Sequence, residues 1–91
     1  MKADLDKVRT MAKDLRNKEP RPAQEELAGY STAARCLDKC RATLVGMHGD
    51  FTYGCPMDQM FLNEAGITAD EFKAFVATGA TDEEVESWLK Q

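Results

Sequence analysis

The sequence has 91 residues, of which 43% are hydrophobic and three are cysteines, so we expect one small cytoplasmic domain without a membrane span, a secretion signal or a disulfide framework. Its net charge of −4 is uneven, because residues 1–45 carry +3 and residues 46–91 carry −7. The acidic second half would repel a phosphate backbone, so a nucleic-acid partner is not expected.

An N-terminal amphipathic helix is predicted within residues 1–17. From residue 4 onward, apolar side chains recur every three or four positions with charged residues between them: Leu5, Val8, Ala12 and Leu15. A stripe this narrow can pack on the rest of the domain or on a second copy of the chain. The stripe covers only about two heptads, which favours packing on the domain. A homodimer remains the alternative.

Residues 18–29 are predicted to be a connector. Pro20 and Pro22 lack a backbone N–H, and each biases the residue before it toward an extended conformation. One helical turn is expected over Gln24–Leu27, with Gly29 as its stop. The connector separates the N-terminal helix from the core of the domain, which is predicted to span residues 30–91.

A second helix is predicted from Thr32 to about Val45. Ser31 is the expected N-terminal cap, and Gly46 is expected to end the helix. Its apolar stripe has the spacing of one buried helix face and consists of Ala33, Leu37, Cys40 and Leu44. We therefore expect this helix to pack on the core along that face.

Residues 46–55 are an irregular, glycine-rich segment. It contains three glycines and the alternating aromatic residues Phe51 and Tyr53. The alternation would suit a short strand, but a single strand has no partner in a helical chain. We therefore predict a packed loop that delivers Cys55 to the start of the next helix.

Three short helices are predicted after this loop. The first spans Pro56 to Ala65 and closes at Gly66. The stretches 68–71 and 81–84 both read Thr-x-x-Glu, which is the capping box that begins a helix. The whole sequence thus predicts an all-α fold, a compact bundle of about five short helices in one domain over residues 1–91.

Cys55 is the strongest candidate for chemistry. Proline is favoured at the first helical position, so Pro56 puts the Cys55 sulfur near the unpaired N–H groups and positive end of a helix, where a thiolate is stabilised. His48, the only histidine, is the candidate general base for a catalytic Cys55. Asp58 opposes the thiolate by like-charge repulsion. The alternative is that Cys55 is an inert, buried residue at a tight turn.

A zinc site is a further alternative. Cys36 and Cys40 are four residues apart, which puts both on one face of a helix, and His48 and Cys55 would complete a set of three sulfurs and one nitrogen. Zinc would stabilise a domain of this size. The spacing is not that of a standard zinc finger, and Cys36 and Cys40 are equally explained as apolar packing residues. No metal or other cofactor is therefore favoured.

Several segments carry a resemblance to a known family. They are Leu27–Tyr30, Leu37–Ala42, Asp50–Phe61, Gly66–Phe72, Asp82–Val85 and Trp88. Over residues 12–90 the sequence resembles a family of small bacterial proteins known only as a domain of unknown function, and the Cys-Pro-x-Asp-Gln stretch is its most specific part. The resemblance implies an all-helical fold and a shared role for Cys55, Asp58 and Gln59, but no activity. Cys36 lies outside these segments, and Cys40, although it lies within Leu37–Ala42, is not one of the residues that the pattern shares. The resemblance therefore implies no role for either cysteine.

The favoured function is a non-enzymatic binding domain. Its loop and helix start over residues 46–60, with Tyr53, Cys55, Asp58 and Gln59 as binding residues, would contact a protein or a small ligand. One histidine, no phosphate-binding glycine loop and no paired carboxylates leave little catalytic machinery. The alternatives are a thiol-based enzyme or redox sensor centred on Cys55, and a structural domain that a bound zinc ion stabilises.

Overall fold

The computed structural model describes residues 2–91. Five helices and one small hairpin follow one another along this part of the chain: α1 (Leu5–Met11), β1 (Glu26–Leu27), β2 (Tyr30–Ser31), α2 (Ala33–Leu44), α3 (Pro56–Ala65), α4 (Ala69–Val76) and α5 (Asp82–Leu89). The fold is mostly α, which confirms the predicted class and adds a two-stranded sheet. None of the helices among these residues is long and apolar enough to cross a bilayer.

Helix α1 is shorter than the sequence predicts. The Asp4 side chain caps its start, and the helix ends at Met11 rather than at residue 17. The chain becomes extended at Ala12, and the Leu15 N–H then donates a hydrogen bond to the Met47 carbonyl at 2.8 Å. Leu15 is buried, but in an irregular segment that docks on the domain. The apolar spacing therefore indicates burial and not a continuous helix.

The connector contains a hairpin in place of the predicted helical turn. Strands β1 and β2 are antiparallel, with Leu27 opposite Tyr30. Ala28 and Gly29 have positive φ values of 57° and 82°, as a two-residue turn of the hairpin type requires. The helical turn predicted over Gln24–Leu27 is therefore wrong. The two-residue turn reverses the chain, and the residues on either side of it pair as antiparallel strands.

Helix α2 lies at the centre of the fold. Its N-cap is Thr32, with a φ of 74° and no side-chain hydrogen bond, whereas the predicted cap Ser31 belongs to β2. The residues 36–42 are all buried, because α1, β1, α3 and α4 all contact this helix. Asp38, Lys39 and Arg41 are consequently buried along with the apolar side chains of α2, whereas Arg35 is partly exposed.

The two predicted capping boxes are confirmed. Thr68 and Glu71 exchange hydrogen bonds at 3.0 and 2.9 Å at the start of α4. Thr81 and Glu84 do the same at 3.2 and 2.9 Å at the start of α5. Helix α3 also spans its predicted residues and ends at the predicted glycine. These helix ends are determined locally, because the bonds that define them join residues three positions apart.

The core is organised around one aromatic side chain. Phe72 is fully buried, and its ring centroid lies 5.6 Å from that of Phe61, 6.3 Å from that of Trp88 and 6.5 Å from that of Tyr53. Trp88 also stacks on Phe75 at 4.6 Å. Since Tyr53 belongs to the 46–55 loop, this cluster holds the loop against α4 and positions the start of α3.

The 46–55 segment is a loop without strand structure, as predicted. Gly49 has a φ of 58°, and a Cβ added there would lie 2.8 Å from the Leu15 carbonyl oxygen. Only glycine allows this close approach between the loop and the N-terminal segment. The loop is thus packed on the domain on both sides, through Gly49 and through Tyr53.

Candidate functional site

Cys55 is the N-cap residue of α3. Its backbone is extended, with φ −63° and ψ 169°, and Pro56 is the first helical residue. Gly54 has a φ of 85° and turns the chain into the helix. Cys55 is half-buried, whereas Cys36 and Cys40 are fully buried. It is therefore the one cysteine that keeps access to solvent among the three.

The partner of the Cys55 sulfur is Lys39, from the middle of α2. Lys39 Nζ lies 3.1 Å from Cys55 Sγ and 2.9 Å from Asp58 Oδ2. The Lys39 side chain is only 5% exposed, and that of Asp58 is 0% exposed. An ammonium group has three N–H donors, so it serves both acceptors. We call this unit the Lys39–Cys55–Asp58 cluster; it joins α2 to the start of α3.

Lys39 is charged despite its burial. Burial opposes the ammonium form, but hydrogen bonds to Asp58 and Cys55 outweigh burial, so the pKa of Lys39 is raised above its ordinary value. Lys39 is therefore an ammonium ion at neutral pH. A cation in contact with Cys55 favours a thiolate over a thiol. Because Lys39 keeps its proton, it does not act as a general base.

Asp58 completes the cluster from the first turn of α3. Its Oδ2 accepts a hydrogen bond from the Gly54 N–H at 2.9 Å as well as from Lys39. Its Oδ1 is buried without a hydrogen-bond partner among the described residues. The sequence predicts repulsion between Asp58 and a Cys55 thiolate. In the structure the ammonium contacts both groups, which offsets that repulsion.

The other two predicted binding residues make contacts within the chain. The Tyr53 hydroxyl donates to the Ala69 carbonyl at 2.7 Å, and burial raises the pKa of Tyr53. Gln59 is exposed, and its Nε2 donates to the Gly54 carbonyl at 3.3 Å. Tyr53 therefore holds the 46–55 loop against α4, and Gln59 stabilises the turn before Cys55. No ligand-sized pocket is found among residues 2–91.

His48 is not the partner of Cys55 in the described chain. Its Nδ1 is buried without a hydrogen-bond partner among those residues, and the hydrogen bond of the Cys55 sulfur is with Lys39. The position beside the sulfur that sequence reasoning assigns to an imidazole is thus occupied by an ammonium group. This difference matters because an imidazole accepts a proton near neutral pH and Lys39 does not.

The four candidate zinc ligands are not gathered into one site. Within residues 2–91, no three His, Cys, Asp or Glu side chains are arranged to hold a metal ion. Cys36 and Cys40 lie in the apolar core as free thiols. Burial raises the pKa of Cys40 to about 12 and raises that of Cys36 as well. Both therefore stay protonated and enclosed at neutral pH.

Lys39 is the residue of this cluster that the sequence does not predict. A lysine on a helix normally faces solvent, and no local pattern pairs residue 39 with residues 55 and 58. One signal is present, because Lys39 lies within Leu37–Ala42, a segment that carries the family resemblance. Its burial becomes visible only in the fold, where four other elements surround α2.

A second charged network lies elsewhere in the fold. Arg21, in the connector, contacts Asp38 at 3.0 Å and Asp82 at 2.8 Å, and Arg41 contacts Asp82 at 2.8 Å. Burial of Asp82 opposes its charge, but the two guanidinium groups outweigh burial and lower its pKa. These contacts tie the connector and α2 to the start of α5, which gives the network a structural role.

The fold and the site define a small, mostly α domain in which a half-buried cysteine begins a helix above a buried lysine–aspartate pair. The chain belongs to the family described as Domain of unknown function (DUF5069), whose model matches residues 17–91. No curated protein matches the chain. The family match contains all three members of the Lys39–Cys55–Asp58 cluster and leaves α1 outside.

Proposed function

We propose that this chain is a thiol-based redox sensor whose sensing group is the Cys55 thiolate. One observation carries the proposal: the Lys39 ammonium lies 3.1 Å from the sulfur of the half-buried Cys55. The cation and the positive end of α3 both favour the thiolate, which is the form that oxidants attack.

The proposed reaction is oxidation of Cys55 by hydrogen peroxide. The thiolate attacks one peroxide oxygen, a sulfur–oxygen bond forms, the oxygen–oxygen bond breaks, and hydroxide leaves. The sulfur loses two electrons and becomes a sulfenic acid, while the peroxide is reduced. A sensor needs no proton relay. While Cys55 is reduced, Lys39 stays an ammonium ion, and this cation favours the thiolate form of the sulfur.

Oxidation would change the local structure as well as the sulfur. A sulfenic acid is neutral near pH 7, so the Lys39 ammonium would lose one of its two anionic partners. The remaining partner, Asp58, accepts a hydrogen bond from the Gly54 N–H, in the turn that precedes Cys55. The signal would therefore appear first as a rearrangement of the 46–55 loop and the start of α3.

Native alkylation with iodoacetamide tests the premise that the half-buried Cys55 is a solvent-accessible thiolate. We expect Cys55 to be labelled in the folded protein, and Cys36 and Cys40 only after unfolding, because they are fully buried and protonated. Lys39→Met should slow labelling of Cys55 about tenfold or more at neutral pH, as loss of about 1.4 kcal/mol of thiolate stabilisation implies.

The matched control is Lys39→Arg, which keeps a cation beside the sulfur. It should retain most of the labelling rate, and near-ultraviolet circular dichroism should show that each variant is folded. Labelling of Cys55 only after denaturation, or an equal rate in Lys39→Met, would exclude the sensor.

A binding surface is the second candidate function, and exposed methionines favour it. Met57 and Met60, on α3 just after Cys55, are 47% and 74% exposed. Flexible, polarizable methionine side chains suit an adaptable protein-binding surface. This candidate retains the 46–60 segment as the contact region, with a protein as the partner.

Its test is a double variant, Met57→Ser with Met60→Ser. Because both side chains are exposed, thermal stability should change by less than about 0.5 kcal/mol. Co-purification of a partner from extract of the source cells should be lost, whereas the matched variant Glu64→Gln on the same helix should retain it. Unchanged co-purification with the double variant would remove this candidate.

A further inference from the structure

The Lys39–Cys55–Asp58 cluster holds a nitrogen nucleophile against the proposed oxidation site. Lys39 and Cys55 are sixteen residues apart in sequence, and their reactive atoms are 3.1 Å apart in the fold. They come from two different elements, α2 and the N-cap of α3. A bond between these atoms would therefore join two parts of the fold covalently.

We propose that Lys39 and Cys55 form a covalent sulfur–nitrogen crosslink, a sulfenamide, once hydrogen peroxide has oxidised Cys55 to its sulfenic acid. The inference rests on the proposed function for its first step, and it adds the modification site and the residue that resolves the oxidised cysteine. Condensation of a sulfenic acid with a backbone nitrogen, which gives a sulfenamide, is an established reversible fate of oxidised cysteine. The Lys39 amine would react at the sulfur in the same way.

The condensation balances without a further oxidant. The Lys39 ammonium transfers one proton to the Asp58 carboxylate, which lies 2.9 Å away. The resulting amine attacks the Cys55 sulfur, the sulfur–nitrogen bond forms and the sulfur–oxygen bond breaks. The leaving hydroxide takes a second proton from the nitrogen and departs as water. The products are a neutral sulfenamide, a protonated Asp58 and one water molecule.

Oxidation of Cys55 itself releases the amine for this step. The charge of Lys39 depends on hydrogen bonds to both Asp58 and Cys55, because burial opposes it. When the sulfur becomes a neutral sulfenic acid, one of these supports is lost, and proton transfer to Asp58 removes a buried charge pair altogether. Lys39 is already held in place by its enclosure, so the attack needs little further ordering.

The competing nucleophiles are less suited to the reaction. A disulfide with Cys36 or Cys40 requires a thiolate, and burial raises the pKa of both thiols. Both are fully enclosed in the core. Neither makes a hydrogen bond with Cys55 among the described residues, whereas Lys39 does. The geometry thus selects the amine as the resolving group.

Peptide mass spectrometry of the peroxide-treated full chain tests the crosslink. The protein is treated while folded, excess peroxide is removed, and free thiols are alkylated before digestion. We expect the peptide containing Cys55 to be joined to the one containing Lys39, about 2 Da below the sum of the two peptide masses. A thiol reductant should separate them. The same product should form in Cys36→Ala/Cys40→Ala, which cannot make an internal disulfide.

The control variant is Lys39→Arg, which keeps the cation but offers no amine. It should give no crosslink, and Cys55 should proceed to the sulfinic acid, about 32 Da heavier. Lys39→Met/Asp58→Asn should also give no crosslink, and it serves as the second variant if Lys39→Arg does not fold.

The outcomes separate the two proposals. Sulfenic or sulfinic acid on wild-type Cys55 without a link to Lys39 overturns the crosslink and leaves the sensor standing, as does a disulfide with Cys36 or Cys40. A Cys55 that remains unmodified, under conditions that oxidise free cysteine, overturns the sensor and the crosslink together.

Discussion

Replacing Lys39 by methionine is the most direct test of the buried ion pair. Methionine has a similar length and no charge, so it fills the same space inside the domain. It leaves the Asp58 carboxylate fully buried with the Gly54 N–H as its remaining hydrogen-bond donor. An unpaired buried charge is strongly destabilising, so we expect Lys39→Met to lower the free energy of unfolding substantially.

The expected magnitude depends on the burial of both partners. Lys39 is 5% exposed and Asp58 is 0% exposed, and removing one partner of such a pair costs about 3–5 kcal/mol. A domain of this size is stable by about 5–15 kcal/mol. The variant should therefore fold weakly. Its urea midpoint should fall by about 2 M if its stability changes by about 2 kcal/mol per molar urea.

The double variant Lys39→Met/Asp58→Asn provides the decisive comparison. Its amide oxygen can still accept the Gly54 N–H, and no buried charge remains. We expect it to recover to within about 1–2 kcal/mol of the wild type, because replacing both partners of a buried pair is close to neutral.

Urea denaturation at pH 7, followed by circular dichroism, measures the stability of all three proteins. If Lys39→Met unfolds at the wild-type midpoint, the ion pair contributes nothing and the description of the cluster is wrong. If the double variant is no more stable than the single one, the cost does not come from an unpaired Asp58.

Three further predictions concern pH and the turn. Because the pKa of Lys39 is raised, its contribution to stability is complete below the ordinary lysine pKa and is lost as the pH rises through the raised value. Melting curves at alkaline pH should therefore show a loss of stability in the wild type that Lys39→Met/Asp58→Asn lacks. The lowered pKa of Asp82 acts in the opposite direction. The contribution of Asp82 to stability is present above the ordinary aspartate pKa and is lost as the pH falls through the lowered pKa. Asp82→Asn should therefore make stability depend less on pH in the acid range. Gly54→Ala and Gly66→Ala should each cost about 1 kcal/mol because of their positive φ values of 85° and 74°. Only Gly54→Ala should also change the alkylation rate of Cys55, and equal rates in the two variants would contradict the role of this turn.

Local signals predict the second half of the chain well. Thr68 and Thr81 are identifiable as helix caps from residues three positions away, and the structure contains those bonds. Pro56 places Cys55 at a helix start, and Cys55 is the N-cap of α3. Each of these features is a contact between near neighbours in sequence, so the pattern of residue types carries the information.

The first half is predicted less well because its contacts are not local. Leu15 continues the apolar spacing of a helix, but its partner is the backbone of Met47, so the segment is buried without being helical. Gly29 has the residue type that ends a helical turn, whereas pairing of the strands on either side makes Ala28–Gly29 the turn of a hairpin. In both places a tertiary or cross-strand contact prevails over local preference.

The amino-acid sequence alone determined the helical class, the capping boxes of α4 and α5, and the position of a cysteine at the start of α3. Only the tertiary structure decided what that cysteine touches. Lys39 is buried because neighbouring elements enclose α2, and a buried ammonium needs hydrogen-bond acceptors. Asp58 and Cys55 supply these acceptors from a different element. That pairing depends on how the helices pack against one another. The spacing of apolar residues along the chain does not predict it.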